Sequence, residues 1–247
     1  MNAGSGPIDA GGYRLSTDHA GDGPSTVVFC SGLGDGGEVW ESTIAALGPE
    51  FSTWTYSRAG IGDSDPLPAK GPQSLAISAD ELGRLITAAG VRTPYVVVGH
   101  SIGALIALIY AARAPQGLAG LVLVDPTDLQ LDLDVNEQTL FLKDGDRDDC
   151  TTYDNVASLP VVTASKRRLD IPSVVVSSRP GAWLELADPD PWKPFTLEEL
   201  DTRWQRVHQD LSHTLGGTRL VATVGAHYIH KDQPELVAQA VRQVVGG

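Results

Sequence analysis

An α/β fold, with a mostly parallel central sheet and helices on both faces, is what this sequence predicts, on three observations. Short apolar runs at 26–30, 96–98, 121–124 and 174–176 alternate with longer segments of helical periodicity. Each run is continuously apolar rather than alternating, as expected of strands covered on both faces. One of them leads into Gly99-His100-Ser101-Ile102-Gly103, a serine between glycines where a strand turns sharply into a helix.

Residues 1–12, rich in Gly and Ala, read as a flexible arm, and 13–17 as a short edge strand. The strand at 26–30 feeds Ser31-Gly32-Leu33-Gly34-Asp35-Gly36-Gly37, a loop with four glycines in seven residues. A helix carrying Val39, Trp40, Ile44 and Leu47 follows and stops at Gly48-Pro49. Residues 51–56 make the next strand, closed by Ser57-Arg58-Ala59-Gly60-Ile61-Gly62-Asp63-Ser64, and 75–89 a helix ended by Gly90. After the serine turn and its helix, the strand at 121–124 ends in Asp125-Pro126. Residues 127–170 are polar and irregular and read as an inserted cap or lid, which divides the core into 13–126 and 171–247. The strand at 174–176 precedes a Trp- and Pro-rich loop. A helix over 196–215 opens on a capping box of Thr196 and Glu199. A strand at 220–224 and a helix at 234–245 close the chain.

The 247 residues, 42% of them hydrophobic, suit one large domain. The net charge of −13, from 31 acidic and 18 basic residues, would repel phosphate backbones and anionic lipid, so neither nucleic acid nor membrane is an expected partner. The first residues lack the basic start and apolar core of a signal peptide, and the longest apolar stretch is too short to span a bilayer. The expectation is a soluble, cytoplasmic protein with a small-molecule substrate. Cys30 and Cys150 have no partners at metal-ligand spacing. The aspartates of 144–149 lack the Gly and Glu that a calcium loop requires, so no metal is expected.

The chemistry gathers around Ser101. A strained turn projects its oxygen from the sheet, and side chains at Gly99 or Gly103 would collide with the neighbouring elements. Functional groups in an open parallel sheet collect beyond the carboxyl ends of its strands. His227 directly follows the last strand and is the preferred base; His230 is its rival. Asp125 ends the strand after the serine helix and is the preferred acid, with Glu185 and Asp188 as alternatives. The N–H groups of Leu33 and Ile102 are candidates for an oxyanion hole. The Gly-rich loop lacks the spacing of a phosphate-binding loop.

With these residues in view, the chain resembles the α/β-hydrolase superfamily from about residue 27 to its C-terminus. Cys30-Ser31-Gly32-Leu33-Gly34, the Ser57–Ser64 stretch, Gly99-His100-Ser101-Ile102-Gly103 and Gly225-Ala226-His227 carry the resemblance. It implies a Ser-His-acid triad, a lid inserted before the strand at 174–176, and no cofactor. Ser57 stands where many members have Asp, and no Asp follows the strand at 174–176. Some members carry the acid after the preceding strand, the arrangement that Asp125 matches.

The expected activity is hydrolysis of a carboxylic ester, lactone or thioester of a small apolar substrate through an acyl-enzyme. It should rise as pH passes roughly 6–7, where an ordinary imidazole loses its proton. Substrate-lining candidates are Leu140, Phe141, Leu142 and Tyr153 in the cap, with Trp183, Trp192 and Phe195 in the later loop. The same triad could instead serve C–C bond hydrolysis, a lyase or perhydrolase reaction, and a non-catalytic ligand-binding member is the third reading.

Overall fold

A computed structural model describes residues 6–135, 139–140 (backbone only) and 152–246. The chain enters through β1 (Ile8–Asp9) paired antiparallel with β2 (Arg14–Leu15), then runs through β3 (Thr17–Ala20), β4 (Ser25–Cys30), α1 (Glu41–Leu47) and β5 (Phe51–Tyr56). Next come α2 (Leu75–Ala88), β6 (Tyr95–His100), α3 (Ile102–Ala112) and β7 (Leu118–Val124). The segments α4 (Leu129–Asp134), β8 (Thr139–Leu140), β9 (Tyr153–Asp154) and α5 (Asn155–Ser165) lead to β10 (Ser173–Ser177). Then α6 (Leu197–Leu215), β11 (Thr218–Val221), α7 (Ile229–Asp232) and α8 (Pro234–Val245) complete the order.

Seven strands form one sheet in the order β11-β10-β7-β6-β4-β5-β3, every neighbouring pair parallel except β3 with β5. The continuous apolar runs follow from the pleat, which sends alternate side chains to opposite faces. Val28, Val97, Leu121, Leu123 and Val175 pack with α2 and α3 on one face. Val27, Phe29, Val96, Val98, Val122, Val124 and Val176 pack with α1 and α8 on the other. A smaller cluster of Leu131, Leu200 and Trp204, with Trp183, Trp192 and Phe195 against it, joins α4 to the start of α6. The strand order reverses at β4, which pairs with β5 on one side and β6 on the other, so loops leaving β4 and β6 part there and open a crevice.

Three sequence expectations are corrected. Residues 6–12 are not a loose arm: β1 is hydrogen-bonded to β2, Ala10 is fully buried, and Arg84 donates to its carbonyl. The 127–170 stretch is not irregular throughout, because α4 and α5 lie within it. Pro160 masks α5 in the sequence, yet Val162 is buried in the main core and the Ser158 hydroxyl accepts the Leu75 N–H at 3.0 Å, so packing outweighs the breaker. The last strand occupies Thr218–Val221 rather than 220–224. The N–H groups of Thr223 and Val224 are taken by the side-chain oxygen of Gln233 at 2.9 and 3.4 Å, which peels the chain off the sheet.

Candidate active site

Strand β6 ends at His100 and α3 starts at Ile102, leaving Ser101 at the apex with φ 54° and ψ −122°. A positive φ is a strained conformation for a residue with a Cβ. It is held from both sides: the Ser101 N–H donates to the Val124 carbonyl at 3.0 Å, and the glycines let the elements close in. A Cβ on Gly99 would lie 2.4 Å from the Gly103 carbonyl oxygen, and one on Gly103 2.2 Å from the Ser31 carbonyl oxygen. The expected need for glycine at both positions is therefore a matter of contact with the helix and with the loop after β4.

Asp125 follows β7 with φ 43° and is buried. Its Oδ2 accepts from His227 Nδ1 at 2.8 Å, while Oδ1 accepts the Ser178 N–H at 2.8 Å and the Trp204 indole N–H at 3.1 Å. Burial pushes its pKa upward. The His227 bond, the neighbouring His208 and the Ser178 N–H outweigh that and hold it below the ordinary carboxylate value. With the Nδ1 proton given to an ionised acid, the Nε2 of a neutral His227 carries a free lone pair.

Ser101, Asp125, His227, Leu33, Ile102 and Trp183 all line one cavity of about 400 Å³. Phe141 and Leu142 lie outside the described residues, as does the Leu140 side chain. Tyr153 is not part of the cavity wall: it is buried in the main core with its hydroxyl 2.8 Å from Ser78 Oγ. Phe195 packs beside the cavity in the small cluster, where Arg203 lies 5.7 Å from its ring. The Ser101 hydroxyl is bonded to Thr127 Oγ1 at 3.0 Å, and among the described residues no hydrogen bond joins it to His227. Both residues line the same cavity.

The rivals lie elsewhere. The His230 ring is fully buried between Trp40 and His100, and burial pushes its pKa down to about 3. His100, also buried and held well below the ordinary imidazole value, has its Nε2 2.9 Å from the His227 carbonyl and so braces the loop carrying that residue. Glu185 pairs with Arg179 at the surface, and Asp188 is exposed. Among the described residues no group of three or more His, Cys, Asp or Glu is placed to hold a metal ion, and no helix is long and apolar enough to cross a membrane.

Residues 25–157, just over half of the chain, match the family described as alpha/beta hydrolase fold. The chain belongs to the α/β-hydrolase fold family. A relative from Bacillus subtilis, the uncharacterized protein YqjL, is 29% identical over 244 residues, covering 94% of this chain and 88% of that one. RutD of Enterobacter cloacae, a provisionally named carbamate hydrolase, is 43% identical over 105 residues, which are 42% of this chain and 38% of that protein. Among solved structures, carboxylesterase CesB from Bacillus subtilis superposes with a TM-score of 0.71 at 14% identity, covering 100% of this chain and 93% of the other. At that identity the likeness speaks to the fold.

On this α/β-hydrolase frame, some cavity residues escaped the sequence reading. Thr127 shares the loop after β7 with Asp125, and a hydroxyl two residues beyond a strand-end acid was the available signal. Trp204 sits in the middle of a helix, and its indole reaches Asp125 from 79 residues away in the chain. Nothing local marks it out from a core tryptophan.

Proposed function

We propose that the protein is a serine hydrolase that cleaves a carboxylic ester, lactone or thioester of a small, largely apolar substrate through an acyl-enzyme. The observation that carries this reading is the 2.8 Å bond from His227 Nδ1 to buried Asp125, opening on the cavity that also holds Ser101 at a strained turn. In the proposed reaction the Ser101 hydroxyl leaves Thr127, turns to His227 and loses its proton to Nε2 as Oγ attacks the carbonyl carbon. Asp125 stabilises the imidazolium so formed. The N–H groups of Leu33 and Ile102 receive the charge on the carbonyl oxygen. That of Ile102, first in α3, has no acceptor within its own helix. His227 then protonates the leaving group, and water repeats the sequence to release the acid. Trp183, Trp192 and Trp204 give the cavity its apolar walls.

A panel of p-nitrophenyl esters with a fluorophosphonate probe tests the reading. Turnover and labelling in the wild type, both lost in Ser101→Ala, are expected. A Ser101→Ala variant with undiminished turnover would refute it.

A further inference from the structure

The motif Ser57-Arg58-Ala59-Gly60 takes no part in the site as drawn so far, yet its arginine is buried, 3% exposed, behind the loop that follows β4. Its two terminal nitrogens donate to consecutive carbonyls, Nη1 to that of Ser31 and Nη2 to that of Gly32. A trans peptide points its C=O and N–H in opposite directions. Fixing the Gly32 carbonyl on Arg58 therefore turns the Leu33 N–H to the far side, and Leu33 lines the cavity there with Ser101. Fixing the Ser31 carbonyl does the same for the preceding peptide, so two successive N–H groups share one side, an arrangement suited to an anion. The planar fork of a guanidinium matches two adjacent acceptors, and it keeps its charge at any working pH.

We propose that Arg58 is the positioning residue of the oxyanion site, a clamp that keeps the 31–33 peptides from flipping. The flanking residues Gly32 and Gly34 offer little steric resistance to such a flip. The Ser31 side chain is anchored separately, donating to the Gly36 carbonyl at 2.7 Å and accepting from the Trp40 indole at 3.0 Å. The Asp35 N–H gives the Gly32 carbonyl a second, longer bond at 3.4 Å, so Arg58 is the charged donor common to both carbonyls. The inference rests on the serine-hydrolase reading above.

The test compares wild type, Arg58→Met and Arg58→Lys on p-nitrophenyl acetate. It also compares a trifluoromethyl ketone, which forms a tetrahedral oxyanion on the serine, with the unfluorinated ketone, which does not. In folded Arg58→Met, kcat should fall by about 100- to 1,000-fold, the effect of losing one oxyanion donor, with KM little changed. The trifluoromethyl ketone should weaken in step while the plain ketone binds as before. Arg58→Lys, with a single ammonium for two carbonyls, should fall between. Variants that keep kcat within threefold, or lose it with no weakening of the trifluoromethyl ketone, would overturn the proposal. On the wild type, the Leu33 amide proton should move downfield when the adduct forms, and an unmoved resonance would overturn it without any variant. A wild type that turns over no ester and takes no fluorophosphonate defeats the hydrolase reading and this inference together; an active wild type with an indifferent Arg58→Met defeats the inference alone.

Discussion

Replacing Asp125 by Asn tests the acid–imidazole pair most sharply, because the structure dictates which way the amide must face. Two donors fixed by the fold, the Ser178 N–H at 2.8 Å and the Trp204 indole N–H at 3.1 Å, point at the Oδ1 position. An asparagine with its NH₂ there would set donors against donors in a buried site, at about 1–3 kcal/mol for each group left unpaired. The amide oxygen therefore takes that position, and the NH₂ faces His227 Nδ1, 2.8 Å away in the wild type. To accept that bond Nδ1 must give up its proton, so the proton moves to Nε2 and the nitrogen facing the cavity can no longer act as a base. In the proposed mechanism, inverting the tautomer in this way should cost about 10⁴-fold in kcat, or about 5 kcal/mol of transition-state stabilisation. The assay is p-nitrophenyl ester turnover per titrated active site, with the His227 tautomer read from its ring ¹⁵N shifts. Activity above a tenth of wild type, or a ring that keeps its proton on Nδ1, would refute the reasoning.

Two other outcomes follow from the packing and the buried charges. Gly103→Ala places a Cβ 2.2 Å from the Ser31 carbonyl oxygen and 2.4 Å from that of Cys30, both backbone atoms, so urea unfolding should show a loss of about 3 kcal/mol or more. A loss below about 1 kcal/mol would mean that α3 and the loop after β4 do not meet so closely. Glu81 is almost fully buried, and burial raises its pKa from 4.5 to about 7 against the lowering influence of the Tyr13 hydroxyl and the Arg58 charge. The folded chain thus holds this proton more tightly than the unfolded one. The stabilisation is complete below pH 4.5 and is lost as pH rises through about 7, a change of about 3 kcal/mol. Buried His100, His208 and His230, all with lowered pKa, act in the opposite sense on the acid side. The stability difference between wild type and Glu81→Gln, measured by urea unfolding from pH 5 to 8, isolates the Glu81 contribution. Parallel profiles for the two proteins would contradict it.

Much of the frame was legible because its signals are local. Strands covered on both faces must be apolar at successive positions, and a serine turn wedged between strand and helix must have glycine at 99 and 103. The misreadings have local causes too. Pro160 disguised α5, and the Gly-rich start disguised a hairpin whose partner strand lies a few residues on.

What the residues determined unaided is the mostly parallel sheet without its strand order, the serine turn, and the short roll of strand-end groups from which a serine, a histidine and an acid could be drawn. Tertiary structure alone brought His227 across 102 positions to Asp125, aimed Trp204 and Ser178 at the other carboxylate oxygen, set Thr127 beside Ser101 and put Arg58 behind the loop after β4. The division has one physical origin. Backbone conformation and burial depend on near neighbours and leave a periodic trace in the chain, whereas a hydrogen bond between distant side chains depends on where two unrelated elements come to rest, and no period records that.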